Sequence, residues 1–306
     1  MARKRGTKDA DGGGTGMRGN CRAYRLPGRG RDAGPRAPPE GSTVDLDRFE
    51  AAAVEVAVAA GRLVRRWAGR PRGLSSKATP ADLVTELDRE AEAMIAADLR
   101  RRFPDHDLYG EEAGGKTAAE FVWYVDPIDG TTNFVHGLPG YSVSVALTQG
   151  GRPVAAAVYD PTADEVFSAA VGEGARANGR PLHVERTATL AEALVGTGIP
   201  PVQPSKDYAV RSLVAVAARA RNLRNLGSAA LHLAYVAAGR LTGFWEPALN
   251  AWDCAAGVLL VREAGGRATD LAGTDWRAGL RGALGTNGAI HDELLAVLRG
   301  VEGPLV

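Results

Sequence analysis

The sequence predicts an α/β fold, with an antiparallel sheet in its first half and a mixed, largely parallel sheet in its second. Three observations predict it. Apolar residues recur at spacings of three and four over residues 45–67 and 85–102, marking two amphipathic helices. Three β-forming runs, at 141–149, 153–159 and 164–170, follow one another across Gly150-Gly151 and Pro161, the spacing of an antiparallel meander. From about residue 185 onward strand-like and helix-like segments alternate, the rhythm of a sheet served by crossover helices.

The elements follow in order. Leu46, Phe49, Ala53, Val56, Ala60, Leu63, Val64 and Trp67 form the apolar stripe of the first helix, which Gly69-Arg70-Pro71 stops. Ala91, Met94, Ile95 and Leu99 are placed on the buried face of the second. A short apolar strand over 121–126 runs into Pro127, which fixes φ and is expected to end it. After the meander, strands are expected at 193–197, 222–226, 241–246, 267–269 and 282–285, and helices at 206–219, 228–238, 252–264 and 290–299. The expected organisation is therefore a leading arm over 1–43, an antiparallel half over 44–185 and an α/β half over 186–306, with no internal repeat.

Composition bounds the partners. A net charge of +1 gives the whole chain no general pull toward nucleic acid. No apolar run reaches the roughly 18 residues that a membrane span needs. Two cysteines, Cys21 and Cys254, make neither a disulfide framework nor a metal finger, so a reducing, cytoplasmic home is the default. Cys254 falls in an apolar helical pattern and reads as core. The charge is uneven: residues 1–43 hold ten Lys and Arg against four Asp and Glu, with many Gly and Pro and few aliphatics. Such a segment cannot bury enough surface to offset its ordering entropy and is expected to be disordered, with Met17 an alternative start.

The densest chemical signal is Asp126-Pro127-Ile128-Asp129-Gly130-Thr131-Thr132, two carboxylates around a Pro-Ile pair at the end of a strand. Their oxygens suit a hard cation such as Mg²⁺, which prefers few protein ligands and keeps water or phosphate oxygens on its remaining positions. Gly130-Thr131-Thr132 adds backbone N–H groups and hydroxyls suited to phosphate oxygens. Three further acidic sites stand elsewhere. Asp88 lies three residues after Thr85, the spacing of a helix capping box; Glu111-Glu112 follows a strand; Asp253 opens an apolar helix, where a first-turn carboxylate favours the dipole. Each of the three has an ordinary structural explanation when taken alone.

Together the motifs resemble the inositol monophosphatase family. The resemblance is carried by Asp82-Leu83-Val84-Thr85-Glu86-Leu87-Asp88, Gly110-Glu111-Glu112, Trp123 through His136 and Trp252-Asp253 followed by Glu263-Ala264-Gly265-Gly266, in order and in approximate register across 45–300. It implies a layered αβαβα sandwich, a homodimer, Mg²⁺ dependence and lithium sensitivity. It also implies roles. Glu111, Asp126 and the Ile128 carbonyl would hold one Mg²⁺, and Asp126, Asp129 and Asp253 a second. Asp88 and Thr131 would orient and deprotonate the attacking water. Gly130, Thr131, Thr132 and Asp129 would meet the phosphate, Gly227, Ala229 and Glu246 the rest of the substrate, and Glu112 and Lys77 would support the metal loop. The leading arm and the short segment between Glu112 and Asp126 depart from the family pattern.

A histidine-based mechanism finds no support. His106, His136, His183, His232 and His291 show no ligand or nucleophile spacing. The expected substrate is a small phosphorylated polyol, first inositol monophosphate, with histidinol phosphate or fructose 1,6-bisphosphate as alternatives on the same residues. A non-enzymatic RNA- or protein-binding member is the other class of reading. The four acidic residues Glu111, Asp126, Asp129 and Asp253 are all present and speak against it.

Overall fold

The computed structural model describes residues 45–70, 72–77 and 83–302; the arm expected over 1–43, with Met17 and Cys21, lies outside them, as does Asp82. Asp45 caps the first helix, α1 (Leu46–Arg65), by accepting from the Arg48 N–H at 3.2 Å. A small antiparallel pair, β1 (Ser75–Ser76) and β2 (Leu83–Val84), leads into α2 (Glu86–Arg102). The buried stripe of α2 is Leu87, Ala91, Ile95 and Leu99, a four-residue repeat. Met94, placed on that face from the periodicity, stands one residue off the stripe and is 37% exposed.

The first sheet comprises β3 (Asp107–Gly110), β4 (Gly114–Gly115), β5 (Phe121–Asp129), β6 (Ser142–Gln149), β7 (Arg152–Asp160), β8 (Glu165–Ala170), β9 (Ala175–Ala177) and β10 (Arg180–Pro181), with the short helix α3 (Thr131–His136) between β5 and β6. Its spatial order is β10-β9-β8-β7-β6-β5-β3-β4, antiparallel except where β3 runs parallel to β5. Both faces are buried, so alternate residues separate cleanly. Trp123, Val125, Val143, Val145 and Leu147 pack under α1 and α2, while Val122, Tyr124, Ala146, Ala156 and Val158 face the interior of the molecule.

Pro127 does not end β5, as expected, but sits inside it. Asp126 pairs with Ser144 and Asp129 with Ser142, so Pro127 and Ile128 together oppose the single residue Val143. This is a β-bulge, where an extra residue without a ladder partner tolerates the missing proline N–H. The bulge also changes the parity of the strand. In a regular strand residues i and i+3 point to opposite faces; the extra residue returns Asp126 and Asp129 to one side.

The second sheet is built from β11 (Leu194–Thr197), β12 (Asn222–Arg224), β13 (Gly243–Glu246), β14 (Arg267–Thr269) and β15 (Ala283–Thr286), interleaved with α4 (Ser205–Ala217), α5 (Ala229–Ala237), α6 (Ala251–Glu263) and α7 (His291–Arg299). Its order is β12-β11-β13-β15-β14, and parallel pairing is confined to β12, β11 and β13. The sheet is thus evenly mixed where alternation suggested a mostly parallel one. The chain passes from β14 to β15 through a loop with no crossover helix, which allows an antiparallel pair. Helices α5 and α6 lie between the two sheets, and α4 and α7 cover the far face, completing an αβαβα sandwich. No helix among the described residues is long and apolar enough to cross a membrane.

The middle layer is the tightest. Gly257 of α6 faces Leu233 of α5 so closely that a Cβ on it would stand 2.3 Å from the Leu233 Cβ. Because α5 and α6 both begin at the cavity described below, this contact sets the distance between two of its walls. Gly257→Ala is expected to cost about 1–3 kcal/mol through overpacking, read as a lowered denaturation midpoint. In a Leu233→Gly background, which removes that Cβ, the cost should largely vanish; an equal cost in both backgrounds would show that the helices are not spaced by this contact.

Candidate active site

A cavity of about 770 Å³ opens where the first sheet, α5, α6 and the end of β13 meet. Of the residues singled out in the sequence, Lys77, Glu111, Asp129, Gly227, Ala229, Glu246 and Asp253 line it. Asp126 is buried, at 2% exposure, and close enough to Glu111, Asp129 and Asp253 for their charges to act on it. Asp88 is likewise buried and feels the charges of Glu112 and Glu111. Gly130, Thr131 and Thr132 begin α3 and are not among the lining residues; Thr132 is exposed.

Helix N-termini hold the carboxylates. Asp88 is the third residue of α2, and its Oδ2 accepts from the Thr85 N–H at 2.8 Å and from the Thr85 hydroxyl at 2.5 Å. Its other oxygen, Oδ1, is buried and has no hydrogen-bond partner among the described residues. Asp253 is the third residue of α6, and its Oδ2 accepts from the Asn250 N–H at 2.6 Å. Asp129 comes from the sheet to cap α5 from outside. It accepts from the Ser228 hydroxyl at 2.5 Å, the Ala230 N–H at 2.7 Å and the Ala229 N–H at 3.3 Å. Unsatisfied N–H groups and the positive end of the helix dipole make each terminus a place where a carboxylate can be buried. The capping role read for Asp88 and the first-turn role read for Asp253 are real, and each occupies one oxygen only.

The neighbouring strand aligns these termini. On β6, opposite the two aspartates, Ser142 shares a 3.1 Å hydrogen bond with Ser228, and the Ser144 hydroxyl donates to the Trp252 carbonyl at 3.0 Å. Thr131 donates its hydroxyl to the Ile128 carbonyl at 3.0 Å, so the hydroxyl bonded to Asp88 here is that of Thr85. Asn133 donates to the carbonyls of Pro139, Gly140 and Leu226, tying α3 to the loop before α5. His232 completes that loop: its Nε2 accepts from the Leu226 N–H at 3.0 Å, and its Nδ1 lies 2.6 Å from the Ser228 carbonyl. Both contacts fit only the neutral ring, and burial lowers the imidazole to about 4 against the opposing backbone carbonyls of Ser228 and Arg224.

The electrostatics are those of crowded anions. Burial, then the charges of Glu111, Asp129 and Asp253, raises Asp126 well above the carboxylate range. Burial and the same neighbours Glu111 and Asp129 raise Asp253, and burial with Asp253 and Asp129 raises Glu246. Asp129 and Asp88 rise to about 6, burial outweighing their hydrogen bonds from α5 and from Thr85 respectively. Lys77 is the neighbouring cation, 2.7 Å from Glu111 and 2.5 Å from Glu112; burial opposes its charge, but the two carboxylates hold it above the ordinary lysine value.

As they stand, no three Asp, Glu, His or Cys side chains among the described residues form a ready metal cage. Each carboxylate is turned toward a protein donor: Glu111 to Lys77, Asp129 to α5, Asp253 to Asn250. The donor chemistry nonetheless fits a hard divalent cation. The cluster offers oxygen ligands alone, its members repel one another, and Asp88 Oδ1 is a buried acceptor with no partner.

Some contributors were not singled out from the sequence. Glu92 of α2, 3% exposed, accepts from the Glu112 and Ala113 N–H groups, both at 2.8 Å, and so fastens the loop that carries Glu111. A lone Glu in a helix carries no sign of this. Asn250 could have been found, because Asn250 and Asp253 have the same capping spacing as Thr85 and Asp88.

Comparison with known proteins gives the family and the fold. Residues 45–302 match the inositol monophosphatase family. The chain is 40% identical over 239 residues to the fructose-1,6-bisphosphatase/inositol-1-monophosphatase of Thermotoga maritima, covering 78% of this chain and 91% of that one. It is 44% identical over 233 residues to the Nus factor SuhB of Pseudomonas aeruginosa, covering 72% and 85% respectively. Among solved structures, Thermotoga maritima IMPase TM1415 superposes with a TM-score of 0.76 at 38% identity, over 83% of this chain and 97% of that one.

The raised carboxylates dictate a pH dependence. A group whose folded pKa exceeds its unfolded value supports the fold below the unfolded pKa, and that support is lost as pH rises through the folded pKa. For Asp88 and Asp129 the loss spans the interval from the ordinary carboxylate range, near 3.8, to about 6. A bound cation would relieve the repulsion of the ionised forms. The rise in melting temperature on adding Mg²⁺ should therefore be small at pH 5 and several-fold larger at pH 7.5, measured by calorimetry. A shift independent of pH would separate the carboxylates from Mg²⁺ binding.

Proposed function

The chain belongs to the inositol monophosphatase family, and we propose that it is a Mg²⁺-dependent hydrolase of small polyol phosphate monoesters, with inositol monophosphate its first substrate. One observation carries this reading: acidic side chains from both sheets and from helix termini meet at one cavity, beside a buried carboxylate oxygen with no protein partner. The name of the Thermotoga maritima relative supports the substrate class.

In this reading Glu111, Asp126 and the Ile128 carbonyl would hold one Mg²⁺, and Asp126, Asp129 and Asp253 a second. When bound, the ions supply a lowered pKa for the attacking water and stabilisation of the departing alkoxide. The protein's own groups do the remaining work. Asp88 Oδ1 accepts the proton of the attacking water, while Oδ2 stays on Thr85 and keeps the carboxylate from turning. Thr131, half-buried at the start of α3, orients that water through its hydroxyl. The N–H groups of Gly130 and Thr131, with Thr132 beside them, face the equatorial phosphate oxygens, where charge grows as the bond breaks. Asp129 bridges the phosphate site to α5, and Gly227 and Ala229 form the wall against which the polyol packs. Lys77 and Glu112 steady Glu111 from the side. Glu246 accepts hydrogen bonds from polyol hydroxyls; it lines the cavity at the end of β13 and takes no part in bond cleavage.

Two outcomes test the proposal. Hydrolysis of inositol monophosphate should require Mg²⁺ and fall by about 100-fold or more in Asp126→Asn, since two-ion stabilisation amounts to several kcal/mol. Near-normal turnover by a variant with an unchanged circular dichroism spectrum would remove Asp126 from the mechanism. Glu246→Gln should lower kcat/KM for inositol monophosphate by about 10- to 100-fold, the equivalent of roughly 1.5–3 kcal/mol for a charge-assisted hydrogen bond. Its effect on an aryl phosphate, which has no ring hydroxyls, should be far smaller. Similar losses on both esters, with a lowered melting temperature, would make Glu246 a structural residue instead.

A further inference from the structure

We propose that Glu92 is a positioning residue for the acidic cluster: it anchors the hairpin tip that carries Glu111 and thereby sets how tightly the cluster holds Mg²⁺. The inference rests on the phosphatase reading above, in which Glu111 is a Mg²⁺ ligand, and deepens it. Glu92 lies in the middle of α2, is 3% exposed and is not among the residues lining the cavity. No Lys or Arg pairs with it among the described residues. Its charge is met instead by two backbone N–H groups, those of Glu112 and Ala113, one on each carboxylate oxygen and both at 2.8 Å. A buried carboxylate that commits both oxygens to one turn of backbone holds that turn firmly, because letting go would leave the charge buried and unpaired.

The turn it holds is the tip of the β3–β4 hairpin. Gly110 pairs with Gly114, so Glu111, Glu112 and Ala113 make up the whole loop. The first of them is fixed from the other side: the Glu111 N–H donates to the Val125 carbonyl at 3.1 Å, and Val125 immediately precedes Asp126. Consecutive N–H groups such as those of Glu112 and Ala113 form a backbone concavity suited to an anion, and Glu92 fills it from within the protein. Gly110 is independent evidence that the fit is built in. A Cβ there would stand 2.2 Å from the Glu92 Cδ, although Gly110 does not have the positive φ that would call for glycine. Its lack of a side chain leaves the carboxylate its place.

The same helix carries Asp88. Residues four apart are neighbours on a helix face, about 5–6 Å between Cβ atoms, and Asp88 and Glu92 are both buried residues of α2. The proton acceptor of the proposed mechanism and the anchor of Glu111 are therefore one helical turn apart, so α2 spaces the two. Lys77, 2.7 Å from Glu111 and 2.5 Å from Glu112, steadies the side chains of the tip, and Glu92 its backbone. Asp129 and Asp253 are held by other elements, α5 and Asn250, so loss of the Glu92 anchor moves Glu111 against a frame that stays in place.

The test measures Mg²⁺ binding by calorimetry, without substrate, in wild type, Glu92→Gln and Gly110→Ala, with melting curves and with inositol monophosphate kinetics at saturating Mg²⁺. Glutamine keeps one acceptor and sets an N–H against the other backbone N–H. Gly110→Ala leaves Glu92 intact but takes its place, and it decides the matter if Glu92→Gln does not fold. Both variants should bind Mg²⁺ about 10- to 100-fold more weakly, the range typical when a group supporting a metal ligand is lost. At saturating Mg²⁺ kcat should remain lowered while KM changes by no more than about twofold, since the polyol wall is untouched. Leu99→Ala, in the core two turns further along α2, is the control for stability: it should lower the melting temperature and leave Mg²⁺ affinity within about twofold. Wild-type affinity in a folded Glu92→Gln or Gly110→Ala would overturn the proposal, as would an equal loss of affinity in Leu99→Ala. Because binding is read without substrate, a wild type that binds Mg²⁺ yet hydrolyses no phosphate ester would refute the phosphatase reading and leave the titrations to decide the role of Glu92.

Discussion

Carboxylates that repel one another can share the interior of a protein only where something offsets their charge, and here the ends of helices do so. Asp88 sits on the first turn of α2, Asp253 on the first turn of α6, and Asp129 reaches from the first sheet to the first turn of α5. In each case backbone N–H groups that would otherwise lack partners are satisfied by an acidic oxygen. The layers of the sandwich follow from this. An antiparallel sheet that offers carboxylates on its inner face must have helix N-termini opposite them, so α5 and α6 have to lie between the sheets and begin at the same place. Gly257 lets the two helices approach closely enough for that, and Ser142 and Ser144 dock their first residues onto β6.

The bulge at Pro127 does for the sheet what the helix termini do for the middle layer. Without it, Asp126 and Asp129 would face opposite sides of β5 and one of them would lie beneath α1 and α2, among Trp123, Val125 and Val143. An unpaired carboxylate in that apolar layer would be far costlier than one near a helix end. The proline therefore has two linked consequences: it requires an irregularity in the ladder, and the irregularity brings two acidic side chains to one face. The strength of the Asp-Pro-Ile-Asp signal in the sequence comes from this coupling of a backbone constraint to a chemical one.

The same distinction separates what was legible in the sequence from what was not. Features with local causes could be read directly. The capping spacing of Thr85 and Asp88 located the start of α2, apolar periodicity located the long strands and helices, and the motifs around Asp126, Glu111 and Asp253 located walls of the cavity. Features decided by partners distant in sequence could not. Glu92 matters because Glu112 and Ala113 come to it across a strand, Met94 is exposed because α1 covers the neighbouring stripe, and β15 runs antiparallel to β13 because its loop lacks a crossover helix. His232 is the clearest case. No spacing sets it apart, yet its two ring nitrogens hold the loop that carries Gly227 and Ser228 to the cavity.

The helix ends do not neutralise the cluster completely, and the remainder is informative. Asp126 receives one backbone hydrogen bond, from the Ile128 N–H at 3.0 Å, and no helix terminus, and it is among the carboxylates raised furthest. Asp129, with donors from Ser228, Ala229 and Ala230, is raised to about 6. At Asp129 preorganised hydrogen bonds compete with desolvation, and Asp126 lacks that support. A fold selected for stability alone would have supplied Asp126 with donors or replaced it with an apolar residue. Retaining it with so little support, at the one point where Glu111, Asp129 and Asp253 all act on it, leaves the protein short of positive charge at a defined position. That deficit is a structural reason to expect a cation there, independent of family resemblance, and it makes Asp126 the residue on which the stability of the site and its chemistry most directly conflict.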